Sequence, residues 1–339
     1  MMSTAILDEV PLPWQQQQWQ RLRRQVDDNK LAHAYLFSGA SGTGKLFFAR
    51  RLALYLLCLA PSEGLPCGHC RNCQIGGQHQ HPDVLIVEPA EEGRGLKIDQ
   101  IRDLNAFTAK TSHAGRHKVV IIDQAHRMNN ATANALLKTL EEPAGKTIII
   151  LTSDLPGFLS ATIRSRCQRI QFPPPGLELA DSWLKQHCSA DLNTTALLAA
   201  ANCRPLFALE IAETERVEER RAFMEQLGQL VAGDLNPELL VRKGLALGEQ
   251  VANEYFLSSS AILIKCLVGR SFQSADCPGL GPLVDLVLAQ NERLPLLRRL
   301  MQRYQDSVTA NRQILSGANP NTQLMLESLS WRWSQLLKS

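Results

Sequence analysis

The stretch Phe37-Ser-Gly-Ala-Ser-Gly-Thr-Gly-Lys-Leu46 constrains this chain more than any other. Gly39, Gly42, Gly44 and Lys45 have the spacing of a phosphate-cradling loop, in which glycines let successive backbone N–H groups turn inward and the lysine adds a point charge. Such a loop is expected only between a buried strand and the N-terminus of a helix. Both flanks agree: His33-Ala-Tyr-Leu-Phe37 is an apolar run of strand length, and Phe47–Leu57 is patterned as a helix. One residue does not fit. Position 46, where Ser or Thr would place a hydroxyl on Mg²⁺, is leucine, whose side chain cannot ligate a metal.

Short Val/Ile-rich runs then recur between amphipathic segments: Val84–Val87, Val119–Ile122, Ile148–Leu151 and, more weakly, Arg169–Phe172. That alternation predicts an α/β fold, a parallel sheet covered by helices on both faces. Residues 14–30, rich in Gln and Arg, are expected to form a solvated helix before the first strand, and Gln15–Gln18 is too short a tract to interpret. Pro173-Pro-Pro-Gly176 reads as a linker. Beyond it the patterning is helical, with two or three short helices in 177–212 and long ones such as Arg216–Val231 and Leu283–Gln305, punctuated by Pro237, Pro278 and Pro320. A length of 339 residues accommodates two or three domains, and three are expected: an α/β module over 1–173, a small helical domain over 174–214 and an all-α domain over 215–339.

A net charge of +3 is too small to identify a nucleic-acid binder by composition. The start, Met1-Met-Ser-Thr-Ala-Ile-Leu-Asp-Glu9, lacks the basic lead and apolar core of a signal peptide, so a cytoplasmic location is expected. Nine cysteines in a reducing compartment argue against a disulfide framework. Four of them, Cys58, Cys67, Cys70 and Cys73, lie within sixteen residues of a Pro- and Gly-rich insertion that has no core of its own. Four thiolates at this spacing can close a tetrahedral structural zinc site, one Zn²⁺ per chain; unrelated free thiols are the plainer alternative. His69, His79 and His81 are near enough in sequence to replace a cysteine as ligand. Cys167, Cys188, Cys203, Cys266 and Cys277 have no metal-like spacing and are expected to be small core residues.

Lys118-Val-Val-Ile-Ile-Asp123 is a buried strand ending in an acid, the position from which P-loop NTPases hold the Mg²⁺ shell; capping a strand is the simpler role for Asp123. Its neighbour is Gln124, which can hydrogen-bond water but cannot take its proton. With Leu46 that makes two missing parts, which points to a site that holds ATP or ADP weakly or not at all. Thr152 and Ser153, after the Ile148–Leu151 run, could turn a hydroxyl toward a γ-phosphate. Ile163-Arg-Ser-Arg166-Cys167 places two arginines beside the next strand, and on spacing alone they read as surface charge.

Together these residues resemble the AAA+ clamp-loader family of bacterial DNA polymerase III. The resemblance is carried by Leu31-Ala-His-Ala-Tyr-Leu-Phe37, the four-cysteine insertion, His81-Pro-Asp83, Ala133-Asn-Ala-Leu-Leu-Lys-Thr-Leu-Glu-Glu-Pro143, Arg164-Ser-Arg-Cys167 and the tail from Asn319 to Trp331, so it spans nearly the whole chain. It implies a DNA-replication subunit in a hetero-pentameric ring with gamma/tau and delta subunits, a ring that opens the sliding clamp and places it on primed DNA. It identifies the small helical domain as the lid and the last as the oligomerising collar. It also implies that Arg166 is an arginine finger acting in trans on a neighbour's ATP, that Thr152 is the sensor-1 residue, and that Arg204 in Asn202-Cys-Arg-Pro205 corresponds most nearly to sensor 2. A subunit with a corrupted phosphate loop is, in this family, a stator without ATPase activity. The alternatives are an active gamma-type ATPase, which Leu46 opposes, and a nucleic-acid-binding module, which the weak charge and the lack of a basic aromatic patch oppose.

Overall fold

The computed structural model describes residues 9–77, 81–89, 95–112, 117–189, 192–213, 216–269, 274–277, 279–315 and 321–338. They form two compact units, Met1–Pro174 and Pro175–Ser339. The first holds five parallel strands, β1 (Ala34–Ser38), β2 (Val84–Val87), β3 (Lys118–Ile122), β4 (Thr147–Ser153) and β5 (Gln168–Gln171), in the order β2-β3-β4-β1-β5. Every apolar run that the sequence singled out has become a strand. Because all strands run the same way, their carboxyl ends share one edge, and the register sets Phe37 beside Thr152 and Ile122 beside Leu151. Gly39, Asp123 and Thr152 are thereby delivered to the edge where open α/β sheets bind ligands.

The sheet is buried on both faces, as its continuous apolar strands require. On one face Leu36, Val120, Ile122, Ile149 and Leu151 join Ile101, Leu104, Leu136, Leu140 and Ile163 from the helices Ile98–Ala109, Asn130–Glu141 and Ala161–Arg166. On the other an aromatic group forms, with Phe37, Phe48 and Phe172 at mutual ring distances of 5.5, 5.2 and 5.0 Å, and Trp19 5.3 Å from Phe48. Each such ring contributes about 1.5–3 kcal/mol by burial.

Trp19 belongs to the helix Gln16–Asp27, and the expectation of a solvated helix there is wrong: Trp19 and Leu22 are buried, and so are Gln15 and Gln18. The amide N–H groups of both glutamines find backbone acceptors, which offsets part of the cost of burying them. Gln18 Nε2 donates to the Gln171 carbonyl of the edge strand at 2.9 Å, and Gln25 Oε1 accepts from the Tyr35 hydroxyl at 2.8 Å. An edge strand leaves backbone groups without partners, and a buried glutamine can supply one.

In the second unit the short helices are Leu177–His187, Thr194–Ala200 and Pro205–Glu213. After them come Arg216–Ala232, Pro237–Leu247, Glu249–Leu267, Gly281–Leu288, Arg293–Leu315 and Thr322–Ser334. Phe223, Phe256, Leu263, Val284, Leu300 and Trp333 lie at their common core. The single helix expected over Leu283–Gln305 is two, separated at residues 289–292. Pro295 explains the break: it has no N–H, and in a continuous helix its ring would meet the Asn291 carbonyl, whereas the first turn of a new helix tolerates it. Among the described residues no single helix is long and apolar enough to cross a membrane.

Candidate phosphate-loop site and metal centre

The glycine-rich loop runs from β1 into the helix Lys45–Leu57, as its spacing demands. Each glycine of the motif has a backbone reason. A Cβ on Gly39 would lie 2.1 Å from the Phe172 carbonyl oxygen, and Gly42 and Gly44 sit at φ of 71° and 84°. Gly44 is the N-cap and offers no side-chain acceptor to the first turn, so the helix presents its N–H groups and positive dipole end to the loop.

Several groups of the loop have protein partners. Lys45, only 5% exposed, donates to the Ala40 carbonyl at 2.6 Å and to Asp154 Oδ1 at 2.7 Å. The Thr43 hydroxyl reaches the same Ala40 carbonyl at 2.9 Å. Trp14 Nε1 donates to the Thr43 carbonyl at 3.0 Å; Gln15 Nε2 donates to the Thr43 and Gly44 carbonyls at 2.9 and 3.2 Å. Gln15 is itself oriented by the Leu12 N–H, which donates to its Oε1. Leu46, half-buried on the first turn, adds only apolar surface.

At the strand tips the Thr152 hydroxyl donates to Asp123 Oδ1 at 2.5 Å and accepts the Gln124 N–H at 3.1 Å. Its one O–H donor is thus committed to the acid beyond the strand tip. Gln124 stands at φ 50°, a left-handed conformation that is strained for a residue with a side chain. Nearby, His126 is buried, and burial, together with Arg127 and Lys45 and against the pull of Asp154, pushes its imidazole down to about 4. It is neutral at physiological pH.

The four cysteines converge. Their sulfurs all lie within 4.8 Å of one another, with Cys58–Cys70 and Cys67–Cys73 each at 4.0 Å. A tetrahedral ion with metal–sulfur bonds of about 2.3 Å needs sulfurs about 3.8 Å apart, so the set fits. The Cys67 N–H donates to the Cys58 sulfur and the Cys70 N–H to the Cys67 sulfur, at 3.3 and 3.4 Å, which supports thiolate charge. Burial raises the Cys58 and Cys73 thiols. Burial also raises Cys70, but the N–H groups of Leu59 and Cys73 and the neighbouring thiols outweigh it and bring that thiol down to about 6. The sequence left room for a histidine ligand. The structure gives His69 Nδ1 to the Cys67 carbonyl and His81 Nδ1 to the Asp83 N–H, at 2.8 and 3.0 Å, while His79 lies outside the described residues. These four sulfurs can hold a metal ion, and Trp19 Nε1 on the Gly64 carbonyl and Asn72 on the Leu57 carbonyl tie the surrounding segment to the module.

Arg166 ends the short helix Ala161–Arg166, a third exposed. Its Nε donates to Glu141 Oε1 at 2.8 Å, its Nη2 reaches the same oxygen, and its Nη1 donates to the Thr162 carbonyl at 2.9 Å. Arg164 beside it is exposed. In the helical unit Arg204 is buried: Nη2 pairs with Glu254 at 2.9 Å, Nε donates to the Ala201 carbonyl at 2.6 Å, and the guanidinium covers the Phe207 ring at 4.3 Å. A cavity of about 580 Å³ lies elsewhere, lined among others by Arg23, Asp27, Glu63 and Lys146, whose charges offset each other.

Sequence reading missed Trp14, Gln15, Glu141 and Asp154. For Asp154 a signal exists: it is a carboxylate just past the carboxyl end of a parallel strand, where ligands gather. For the others nothing local distinguishes a functional residue from a surface one.

The family model described as "DNA polymerase III, delta subunit" matches residues 14–176. The DNA polymerase III subunit delta' of Pseudomonas aeruginosa is 30% identical over 96% of this chain and 97% of its own length. The Haemophilus influenzae protein of that name is 35% identical over 63% of this chain and 65% of its own. The tau/gamma subunit of Haemophilus influenzae is 37% identical over 48% of this chain but 22% of its own length. Among solved structures a gamma-subunit-related protein from Thermotoga maritima covers 94% of this chain and 99% of its own, at 22% identity and a TM-score of 0.41.

Proposed function

The chain belongs to the delta-prime subunit family of DNA polymerase III, an AAA+ clamp-loader family, and on that premise we propose that it is a non-hydrolysing stator subunit whose Arg166 completes a neighbouring subunit's ATPase site. The observation that carries the reading is the pairing of a damaged phosphate loop with an intact Ser165-Arg166-Cys167 on a partly exposed helix end. Leu46 cannot place a metal and Gln124 cannot accept a proton, so useful chemistry is exported across an interface. The partners on this reading are gamma/tau and delta subunits in a five-membered ring in the cytoplasm, joined through a collar at 215–339, with 174–214 as the lid, and the ring acts on the sliding clamp and primed DNA. The metal at Cys58, Cys67, Cys70 and Cys73 is one structural Zn²⁺, since a closed all-thiolate set leaves no position for catalysis.

For Arg166 the Glu141 contact matters. A bonded carboxylate can hold the guanidinium fork in place for a neighbour's phosphate, or it can be the arginine's only business. Reconstituted clamp-loader complex separates these. An arginine finger is worth about 10³–10⁵ in rate where a site depends on it, and less when several sites share the work. Arg166→Ala should therefore lower the clamp- and DNA-stimulated ATPase per assembled complex while leaving metal content and assembly intact, and Arg166→Lys should fail nearly as badly because a point charge cannot copy the planar fork. Unchanged ATPase per complex, with Arg166→Ala and Glu141→Ala lowering the chain's melting temperature equally, would reduce the contact to an ordinary ion pair.

A further inference from the structure

We propose that Asp154 is a built-in anion that occupies Lys45 in place of a nucleotide phosphate, so that this carboxylate, and not only Leu46, keeps the phosphate loop closed to nucleotide. The inference rests on the reading of the loop as degenerate and names what closes it. Leu46 removes a metal ligand, but a loop with its glycines, its lysine and an uncapped helix N-terminus should still attract a metal-free phosphate group. Lys45 is already engaged by protein partners. Two of its three N–H donors are committed, to the Ala40 carbonyl at 2.6 Å and to Asp154 at 2.7 Å, the second a charge-assisted bond.

An incoming phosphate would have to break that bond and then sit beside the released carboxylate, a like charge a few ångströms away. Asp154 is 30% exposed against 5% for Lys45, which places the carboxylate on the accessible side of the pair. The neighbouring His126 is held neutral by burial and offers Asp154 no second cation. The loop itself does not depend on the ion pair for its shape, because Trp14 and Gln15 hold the Thr43 and Gly44 carbonyls independently. Removing the carboxylate should therefore leave a formed cradle with a free lysine.

Full-length protein is titrated calorimetrically with ADP and with inorganic pyrophosphate in magnesium-free buffer without chelator, and melted with and without each ligand. The unsubstituted chain should show no saturable binding up to ~1 mM, whereas Asp154→Asn should bind at least about tenfold more tightly, equal to ~1.4 kcal/mol, and gain melting temperature on adding ligand. Lys45→Met in the Asp154→Asn background should abolish the gain. Asp154→Ser, read the same way, serves if the asparagine variant does not melt cooperatively. Binding by either folded variant no tighter than by the unsubstituted chain overturns the proposal, as does a gain that survives Lys45→Met. ATP turnover by Asp154→Asn, measured alongside, bears on a different claim: turnover would overturn the non-hydrolysing reading and leave the Asp154 contact standing, while an absent binding gain would do the reverse.

Discussion

The cysteine cluster and the phosphate loop are both short, spacing-defined motifs within one module, and their side chains are arranged differently: the sulfurs converge on one point, while the loop's groups turn to partners elsewhere in the protein. Four sulfurs lie within 4.8 Å of one another, a geometry that can hold a metal ion. In the phosphate loop the cation, the Thr43 hydroxyl and the Thr43 and Gly44 carbonyls all have protein partners. Spacing identifies which groups come together, but the capacity to bind depends on what those groups already touch. Four converging sulfurs can hold a metal ion, whereas a lysine that has found a carboxylate is closer to a buried ion pair.

The largest effect should come from the cysteine cluster. On the zinc reading proposed above, Cys73→Ser should reduce bound metal from one equivalent to less than half, by elemental analysis, and remove amide-exchange protection across residues 58–77; structural zinc contributes on the order of 10 kcal/mol in small modules that depend on it. A full equivalent of metal in that variant would break the comparison. Next in size is a test of the two turns themselves. Gly39→Ala places a Cβ 2.1 Å from the Phe172 carbonyl, and overpacking of that kind costs about 1–3 kcal/mol. Gly68, in the cysteine segment at φ 75°, meets nothing within 4 Å, so Gly68→Ala should cost only about 1 kcal/mol of backbone strain. Equal losses in chemical denaturation would show that the phosphate loop is not held by that close approach.

The effect most specific to the loop is acid sensitivity. The folded-state value of His126, near 4, lies below the ordinary 6.5 of a free imidazole, so on acidification the unfolded chain takes up its proton first. Stability present above pH 6.5 should be lost progressively toward pH 4, by about 2 kcal/mol between pH 7 and 5. His126→Gln should remove that part of the slope in urea unfolding at pH 5, 6 and 7. Comparing the two chains cancels the thiol protonation that both share. An unchanged slope would mean that His126 is not held neutral.

The sequence by itself determined the strands, the glycine-rich turn, the cysteine set and the two missing catalytic parts. All of these are local: a strand shows as a short apolar run, a P-loop as a seven-residue spacing, a thiolate cluster as sixteen residues of chain. What only the tertiary structure decided is the partner of each charged or polar group. Lys45 meets Asp154 because the order β2-β3-β4-β1-β5 sets β4 beside β1, and Arg166 meets Glu141 because the helices Asn130–Glu141 and Ala161–Arg166 cover the same face. Gln15 and Gln18 are buried because one caps loop carbonyls and the other reaches the edge strand. Electrostatic and hydrogen-bond partners are chosen by distance in space, and over such separations in chain that distance is set by sheet order and helix packing, which no local pattern encodes.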